Sequence, residues 1–184
     1  MKKMVISVLG KDRPGIIAAV TRSLFEQDCN IENVSQTILQ NEFSGIFIAG
    51  IPEALPEAGL HKHLAAGLAP MGLHVYEKRL SEADESQPAV ESEPFVVVTK
   101  GPDRKGLVAS ITAILAAHQV NVTNLQAVFK GGDDPNANIM IYEVDIPGDA
   151  NHHALRRDLR EKALALSLDI SIQHKLIFEA INRV

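Results

Sequence analysis

The sequence predicts an α+β fold made of two copies of one βαββαβ unit. Three observations lead to this prediction: a loop–helix segment that occurs twice, a shared order of strand and helix patterns, and an acidic stretch between the copies. The segment GKDRPGIIAAVT at 10–21 returns as GPDRKGLVASIT at 101–112. Self-similarity at a fixed offset is the mark of a duplicated structural unit.

The repeat extends well beyond this segment. At an offset of 91 residues the identical pairs are Gly10/Gly101, Asp12/Asp103, Arg13/Arg104, Gly15/Gly106, Ala18/Ala109, Thr21/Thr112, Leu24/Leu115, Asn30/Asn121 and Asn33/Asn124. Further on the offset becomes 95 residues, with the pairs Ile51/Ile146, Pro52/Pro147 and Leu73/Leu168. The second copy has therefore gained four residues, which we place in the hairpin KGGDDPNAN.

Each copy begins with an apolar run of strand length, followed by a helix with an apolar face at three- and four-residue spacing. A mixed strand, a turn, a third strand, a second helix and a last strand complete the unit. In the first copy we predict strand Met4–Leu9, a helix burying Ile17, Val20 and Leu24, strand Asn30–Gln40, turn Asn41–Ser44, strand Gly45–Ile51, helix Glu53–Ala69 and strand His74–Leu80. The second copy gives strand Phe95–Thr99, a helix burying Val108, Ile111 and Leu115, strand Asn121–Lys130, turn Gly131–Asn136, strand Ala137–Ile146, helix Asp149–Ser167 and strand Asp169–Leu176.

This order is that of the ferredoxin-like fold, an antiparallel four-stranded sheet with two helices on one face. We place the first domain at 1–80, a linker at 81–94, the second domain at 95–177 and a tail at 178–184. In the tail region, helical spacing of Ile177, Ile181 and Val184 suggests a partner-binding or oligomer-forming segment, or one that packs on its own domain.

Charge excludes several classes of function. The net charge of −5 comes from five acidic residues within SEADESQPAVESEP at 81–94, and both flanks are formally neutral. Neither flank therefore has the excess of positive charge that binding to nucleic acids or anionic membranes requires. The acidic segment has few large apolar residues, so it is expected to be a solvated linker.

Composition indicates a globular protein of the cytoplasm. Apolar residues make up 46% and charged residues 22% of the 184 residues, and no apolar run reaches the ~18 residues of a membrane helix. The opening MKKMVISVLG is too short for a secretory signal, since charged residues follow at once. Cys29 is the single cysteine, so no intrachain disulfide can form, and a reducing compartment fits.

The repeated loop–helix junction is the candidate binding site. We expect Asp12 and Asp103 to be the N-cap residues and Pro14 to lie in the first helical turn. Gly15 and Gly106 are expected where a Cβ would obstruct another backbone or a ligand. Amides exposed at the start of a helix suit a small carboxylate. A well-capped helix start is the alternative, although recurrence with an asparagine 15 residues downstream favours a site.

Both copies contain the motif G-x-D-R-x-G, the helix with T-x-x-L, and the pair N-[IV] that begins fifteen residues after the last glycine of the motif. In these features both copies resemble the ACT domain, a small-molecule sensor of amino-acid metabolism. Two such domains without a catalytic domain are similar to the glycine cleavage system transcriptional repressor family. The resemblance implies a non-enzymatic regulator without cofactor or metal, which binds a small amino acid, glycine being favoured, and contacts a DNA-binding protein partner rather than DNA. It also implies a homo-oligomer, with ligands held between paired domains by Gly10, Lys11, Asp12, Arg13, Pro14, Gly15, Asn30 and Ile31, and by Gly101, Pro102, Asp103, Arg104, Lys105, Gly106, Asn121 and Val122.

The second copy departs from the first at two positions, with Lys105 for Pro14 and Pro102 for Lys11. A cation in the first turn opposes the helix dipole by about 0.3–1 kcal/mol, so a ligand carboxylate or solvent must compensate it. The two sites are therefore not expected to be equivalent. Arg13 and Arg104 either hold a carboxylate or pair with a neighbouring surface acid.

Other functions lack support in the sequence. RNA-binding domains share the βαββαβ order but need aromatic residues on the first strand, and Met4–Leu9 has none. The seven histidines show no metal-ligand spacing, and Cys29 has no recognisable histidine partner. Similar motifs accompany catalytic domains in formyltetrahydrofolate deformylases and uridylyltransferases, but this chain has a second copy instead. Regulation of a metabolic enzyme by direct contact is the alternative to transcriptional control.

Overall fold

The computed structural model describes residues 2–81, 91–129 and 138–182, and it divides the chain into two compact units, Met1–Pro88 and Ala89–Val184. The first unit contains β1 (Lys2–Lys11), α1 (Ile16–Phe25), β2 (Asn30–Leu39), β3 (Glu42–Ile51), α2 (Glu57–Leu68) and β4 (His74–Arg79). The second contains β5 (Ser92–Gly101), α3 (Leu107–Ala117), β6 (Asn121–Phe129), β7 (Asn138–Pro147), α4 (His152–Ala165), β8 (Asp169–His174) and α5 (Lys175–Asn182). The predicted fold class is confirmed. The expected turn Gly131–Asn136 and most of the expected linker lie outside the described residues.

Both sheets have the same topology. The strand order is β2-β3-β1-β4 in the first unit and β6-β7-β5-β8 in the second, and all neighbouring strands are antiparallel. The first strand of each unit is therefore central and hydrogen-bonded on both sides. A register shift in the second strand, between Ile31 and Asn33 and between Val122 and Asn124, occurs at the same place in both copies.

The helices of each unit cover one face of its sheet. Met4, Ile6 and Val8 alternate along β1 and are buried on the helix side. The rest of the first core comes mainly from α1, β3 and α2, including Val20, Leu24, Phe43, Phe47, Leu60, Leu64 and Leu68, with Leu73 and Val75 from the last strand and its entry. In the second unit Phe95, Val97, Ile111, Leu115, Tyr142, Val144, Leu155 and Leu159 form the corresponding core. Burial of such side chains, at about 1.5–3 kcal/mol each, is the main stabilisation of both units.

The boundaries differ from the expected ones for local reasons. The hairpin turn lies at Gln40–Asn41 rather than at Asn41–Ser44, with Gln40 at a φ of 57°, so β3 begins at Glu42. The second helix begins at Glu57, four residues late, because Pro56 in an extended conformation (ψ 139°) precedes it. In the second unit Asn151 caps α4, and its Oδ1 accepts from the Ala154 N–H at 3.0 Å.

The C-terminal helix α5 begins at Lys175, before the expected tail, and packs against β5 and β8. Lys175 Nζ donates to Glu143 Oε2 at 2.6 Å, and Asn124 Nδ2 donates to Glu143 Oε1 at 2.9 Å. Lys175 holds the start of α5 against its own domain, whereas Ile177 and Ile181, whose spacing suggested the two interpretations of the tail, are 55% and 68% exposed. Among the described residues no helix is long and apolar enough to cross a membrane.

We expect the Glu143 contacts to make the stability of the second unit depend on pH. The hydrogen bond from Lys175, with that from Asn124, holds the pKa of Glu143 below its usual value. A carboxyl whose pKa is lower in the folded than in the unfolded state stabilises the folded protein fully at pH values above its unfolded pKa of ~4.3. This contribution is lost as the pH falls through the pKa of the folded state. We expect Glu143→Gln to lower the urea midpoint at neutral pH and to have little effect in acid. Glu161→Gln, at an exposed position of α4, is the control, and equal losses at both pH values would contradict the assignment.

A second prediction concerns the end of β1. A Cβ on Gly10 would lie 2.8 Å from Leu73 Cδ2 and 3.0 Å from the Gly72 carbonyl oxygen. Gly10→Ala should therefore destabilise the first unit by about 1–3 kcal/mol in urea unfolding. Gly59→Ala, in the first turn of α2 with no atom closer than 3.8 Å to the added Cβ, should stabilise the first unit by up to about 0.5–1 kcal/mol. A neutral Gly10→Ala variant would show that the contact relaxes freely.

Candidate functional site

Each repeated junction turns the end of a central strand into a helix. In the first unit β1 ends at Lys11, and α1 begins at Ile16 with Gly15 as the N-cap residue. The prediction that Asp12 is the N-cap is wrong, and Pro14 lies before the helix rather than in its first turn. The chain enters the helix through a left-handed conformation at Gly15, with φ 95° and ψ −4°, which glycine adopts at little cost.

The second junction has the same geometry. Gly106 is the N-cap residue of α3 with φ 87° and ψ 2°, so Asp103 is not the N-cap either. Lys105 precedes the N-cap and does not lie in the first helical turn, contrary to expectation. The helix dipole therefore acts on this cation from just outside the helix, where the repulsion is weaker.

The glycines of the junction serve two different purposes. A Cβ on Gly15 or Gly106 would meet nothing within 4 Å, so these glycines are required for their positive φ and not, as expected, for a close approach. The close approach occurs at Gly10 and Gly101 instead. A Cβ on Gly101 would lie 2.7 Å from Leu168 Cδ2, and one on Gly10 would lie 2.8 Å from Cδ2 of its counterpart Leu73. The repeated Leu73/Leu168 pair was the sequence signal for this contact.

The amides at both helix starts have no acceptor among the residues that the structure describes. The N-cap residues Gly15 and Gly106 form no side-chain cap. Among the described residues no backbone oxygen accepts from the N–H groups of Ile16, Ile17 and Ala18, or from those of the corresponding residues Leu107, Val108 and Ala109. In the first unit the Asp12 N–H donates to the Asn41 carbonyl at 2.7 Å, which ties the loop to the β2–β3 hairpin. Open amides at the positive end of a helix dipole favour an anionic group.

The two loop arginines are exposed. Neither Arg13 nor Arg104 forms an ion pair with any residue that the structure describes. The surface pairing considered for them is therefore absent from the described part of the chain, and both guanidinium groups are accessible to a carboxylate.

The structure separates the two parts of the expected site within each domain. The loop follows the end of β1, where Lys11 pairs with Glu42, whereas Asn30 pairs with Gly50 at the opposite end of β3. Eight residue steps of a strand span about 26 Å. In the second unit Gly101 pairs with Asn138 and Asn121 with Asp145, which repeats the separation. The loop and asparagine of one domain therefore cannot contact the same small molecule.

Two clefts lie at these opposite ends. One, of about 640 Å³, is at the second junction and is lined by Asp103, Arg104, Gly106, Val108, Asn138 and Met140, among others. The other, of about 600 Å³, is in the first unit and is lined by Asn30 and Ile31 with Ala18, Thr21, Arg22, Phe25 and Cys29. The first cleft includes three of the expected loop residues, Asp103, Arg104 and Gly106, and the second includes the expected Asn30 and Ile31.

The described residues include metal-ligating and thiol side chains. No group of three or more His, Cys, Asp or Glu side chains there could hold a metal ion. Burial, followed by the charge of Asp28, raises the pKa of the Cys29 thiol, which disfavours a nucleophilic thiolate. His118 Nε2 lies 2.9 Å from Asp158 Oδ2, a pairing across α3 and α4 that the sequence did not reveal. The hydrogen bond with His118, followed by that with Arg157, lowers the pKa of Asp158.

Both units match one family. Residues 2–77 and 93–173 match the model of the ACT domain. The chain therefore belongs to the ACT-domain family, with one such domain in each unit, and the resemblance drawn from the G-x-D-R-x-G motifs is confirmed.

The relatives include regulators and short proteins. The chain is 26% identical to the glycine cleavage system transcriptional repressor of Escherichia coli over 90% of its own length and 85% of the relative's. A UPF0237 protein of Methanocaldococcus jannaschii is 38% identical over 76 residues, which are 41% of this chain and 84% of that protein. In two further UPF0237 proteins the match spans 60% of their own length.

Solved structures show the same fold over nearly the whole chain. An unknown protein from Galdieria sulphuraria gives a TM-score of 0.76 at 21% identity, with 94% of this chain and 98% of that chain covered. A putative glycine cleavage system transcriptional repressor gives a TM-score of 0.65 at 22% identity, with 94% and 96% covered.

The left-handed N-cap can be tested directly. Gly15→Ala should destabilise the first unit by about 1–2 kcal/mol, because a Cβ is unfavourable at this φ even in open space. Gly15→Asn should cost less, since asparagine tolerates this conformation better. Urea unfolding of the two variants measures the difference. Equal stability of Gly15→Ala and the unaltered protein would mean that the junction does not need the left-handed turn.

Proposed function

We propose that the protein is a non-enzymatic regulator that senses a small amino acid and controls transcription of amino-acid metabolism genes through a DNA-binding partner protein. The observation that carries the proposal is the pair of junctions, each with open helix amides beside an accessible arginine. A zwitterion offers a carboxylate that these donors can bind. Membership of the ACT-domain family supports a sensing role.

Glycine is the first candidate ligand. The reason is the name of the Escherichia coli relative, a glycine cleavage system transcriptional repressor aligned over 90% of this chain. The formal net charge of −5 disfavours direct binding to DNA, so the proposal assigns DNA contact to another protein.

The proposal also includes self-association. Because a loop and its own asparagine lie at opposite ends of a sheet, one ligand can contact both types of group only if another ACT domain approaches. A second copy of the chain can provide that domain. The edge strand β2 exposes Val34, Ile38 and Leu39 at 50%, 49% and 75%, and such an edge needs a partner or protection. We expect the assembly to act in the cytoplasm.

Calorimetry of the full chain with glycine, L-serine and larger amino acids tests the sensing role. We expect saturable heat for at least one amino acid, because the open amides and the arginine supply charge-assisted hydrogen bonds. Acetate at the same concentration is the control for simple anion binding. A folded protein that gives no heat with any amino acid would refute the proposal.

Affinity capture from the native host, with and without the amino acid identified by calorimetry, tests the regulatory role. Recovery of a DNA-binding protein in a ligand-dependent manner is expected. Recovery of a metabolic enzyme instead would favour the alternative, direct regulation of that enzyme.

A further inference from the structure

The duplication allows the ends of the two last strands to be compared position by position. In the first unit β4 ends at Arg79, which pairs with Met4 of β1. In the second unit β8 ends at the corresponding residue, His174, which pairs with Phe95 of β5. The chain then runs directly into α5, which begins at Lys175. The residue at this position in the second unit therefore lies at the start of a helix.

In the first unit this position belongs to a pair of opposite charges. Arg79 Nη1 lies 3.9 Å from Oε1 of Glu57, the first residue of α2. Histidine is the side chain that ordinarily changes its charge between about pH 5 and 8, whereas arginine and glutamate do not. The first unit therefore has no pH-responsive group at these two positions.

In the second unit two imidazoles replace this ion pair. His152, the first residue of α4, is the counterpart of Glu57 in the repeat. The ring centroids of His152 and His174 lie 5.7 Å and 5.3 Å from that of Phe95, and both rings are steeply inclined to it, at 62° and 74°. The guanidinium carbon of Arg156 lies 5.7 Å from the same centroid. We call Phe95, His152, Arg156 and His174 the histidine cluster.

The charged groups around the histidine cluster are mostly basic. They are His152, His153 and Arg156 of α4, Glu93 of β5, and Lys175 and Glu179 of α5, while β7 places the apolar Val144 opposite Phe95. Neither clustered histidine forms an ion pair with any acid in the described part of the chain. Protonation of both would thus place two positive charges beside Arg156, where the first unit has opposite charges.

His174 also caps the helix that follows it. Its Nδ1 accepts from the N–H of Leu176, in the first turn of α5, at 3.3 Å. Only a ring nitrogen without a proton can accept, because both nitrogens of an imidazolium are donors. Protonation therefore removes this cap, and it places a cation at the positive end of the helix dipole.

The helix that His174 caps covers part of the open face of the second sheet. Val96 points away from α3 and α4, since it alternates with the buried Phe95 and Val97, and yet it is only 2% exposed. Its counterpart Val5 in the first unit is partly exposed. Because α5 packs against β5 and β8, it accounts for the difference. Loosening of α5 would therefore uncover apolar surface on this sheet.

We propose that the histidine cluster is a pH-sensitive switch, which holds α5 on the second sheet when His152 and His174 are neutral and loosens the helix when they are protonated. The switch lies away from both loop–helix junctions, so it does not depend on the proposed sensing function. Lys175 remains bonded to Glu143 in both states and keeps the loosened helix attached at its first residue.

Hydrogen exchange of the full chain, followed by mass spectrometry at about pH 7.5 and 5.5, tests the switch. After correction for the intrinsic rates, the protection of α5 should fall about tenfold at the lower pH, because a hydrogen bond is lost and a cation faces the helix dipole. The protection of α1 in the first unit should not change and is the internal reference. The pKa of Glu143 is held below its usual value by Lys175 and Asn124, so its ion pair persists at both pH values.

Two variants separate the cap from a general effect of acid. In His174→Asn the side-chain oxygen can accept from the Leu176 N–H at either pH, so the fall in protection should disappear. His153→Asn, at an exposed neighbouring position of α4, is the matched control and should retain the fall. In the unaltered protein the chemical shift of the Leu176 amide proton should follow the protonation of the His174 ring, which requires no variant.

Equal protection of α5 at both pH values in the unaltered protein would overturn the inference. It would also be overturned by an undiminished fall in His174→Asn, by loss of the fall in His153→Asn, or by a Leu176 amide that does not respond when His174 titrates.

Discussion

The pairing of each central strand on both sides is the constraint from which the rest of each domain follows. β1 is hydrogen-bonded to β3 and β4 along most of its length, and β5 is bonded in the same way to β7 and β8. In the first domain the loop that leaves the central strand is held between the β2–β3 hairpin, through the bond from the Asp12 N–H to the Asn41 carbonyl, and the segment that enters β4. Gly10 and Gly101 are needed there because Leu73 and Leu168 already occupy the space beside them. The helix start is thus presented in one orientation, with its amides outward.

The order of elements could be predicted because it depends on local patterns. Alternating burial along β1 and β7, and three- and four-residue spacing along α1, follow directly from the sequence. The helix starts were predicted three residues too early. Aspartate is a common N-cap residue, so the sequence alone favoured Asp12 and Asp103 over Gly15 and Gly106. In the structure the glycine prevails, since the chain needs a positive φ to turn from the strand into the helix. Gln40 shows the same limit, because it takes a positive φ without being a glycine.

The candidate site was predicted in its parts but not in its arrangement. Loop residues and asparagines were identified from the repeat, yet the first helix returns the chain to the far end of the sheet before Asn30. That separation follows from the alternation of strand and helix directions, and the element order already contained it. Contacts between distant positions, such as His118 with Asp158 and Asn138 with Asp103, left no local signal. Lys105 suggested that the two junctions differ, but the larger difference lies on the neighbouring strand, at Phe43 and Asn138.

The exchange of Phe43 and Gly45 for Asn138 and Met140 has a consequence for how the two halves can evolve. In the first half the Phe43 ring occupies the space over Gly45. The second half has Asn138 and Met140 at the corresponding positions of the register. Placing methionine at position 45 while Phe43 remains would force two side chains into the same space, because the Phe43 ring already lies 2.8 Å from where a Cβ would stand. Recombination between the gene's two halves would therefore be tolerated only when both positions transfer together. Positions 43 and 45 are therefore expected to change together rather than singly.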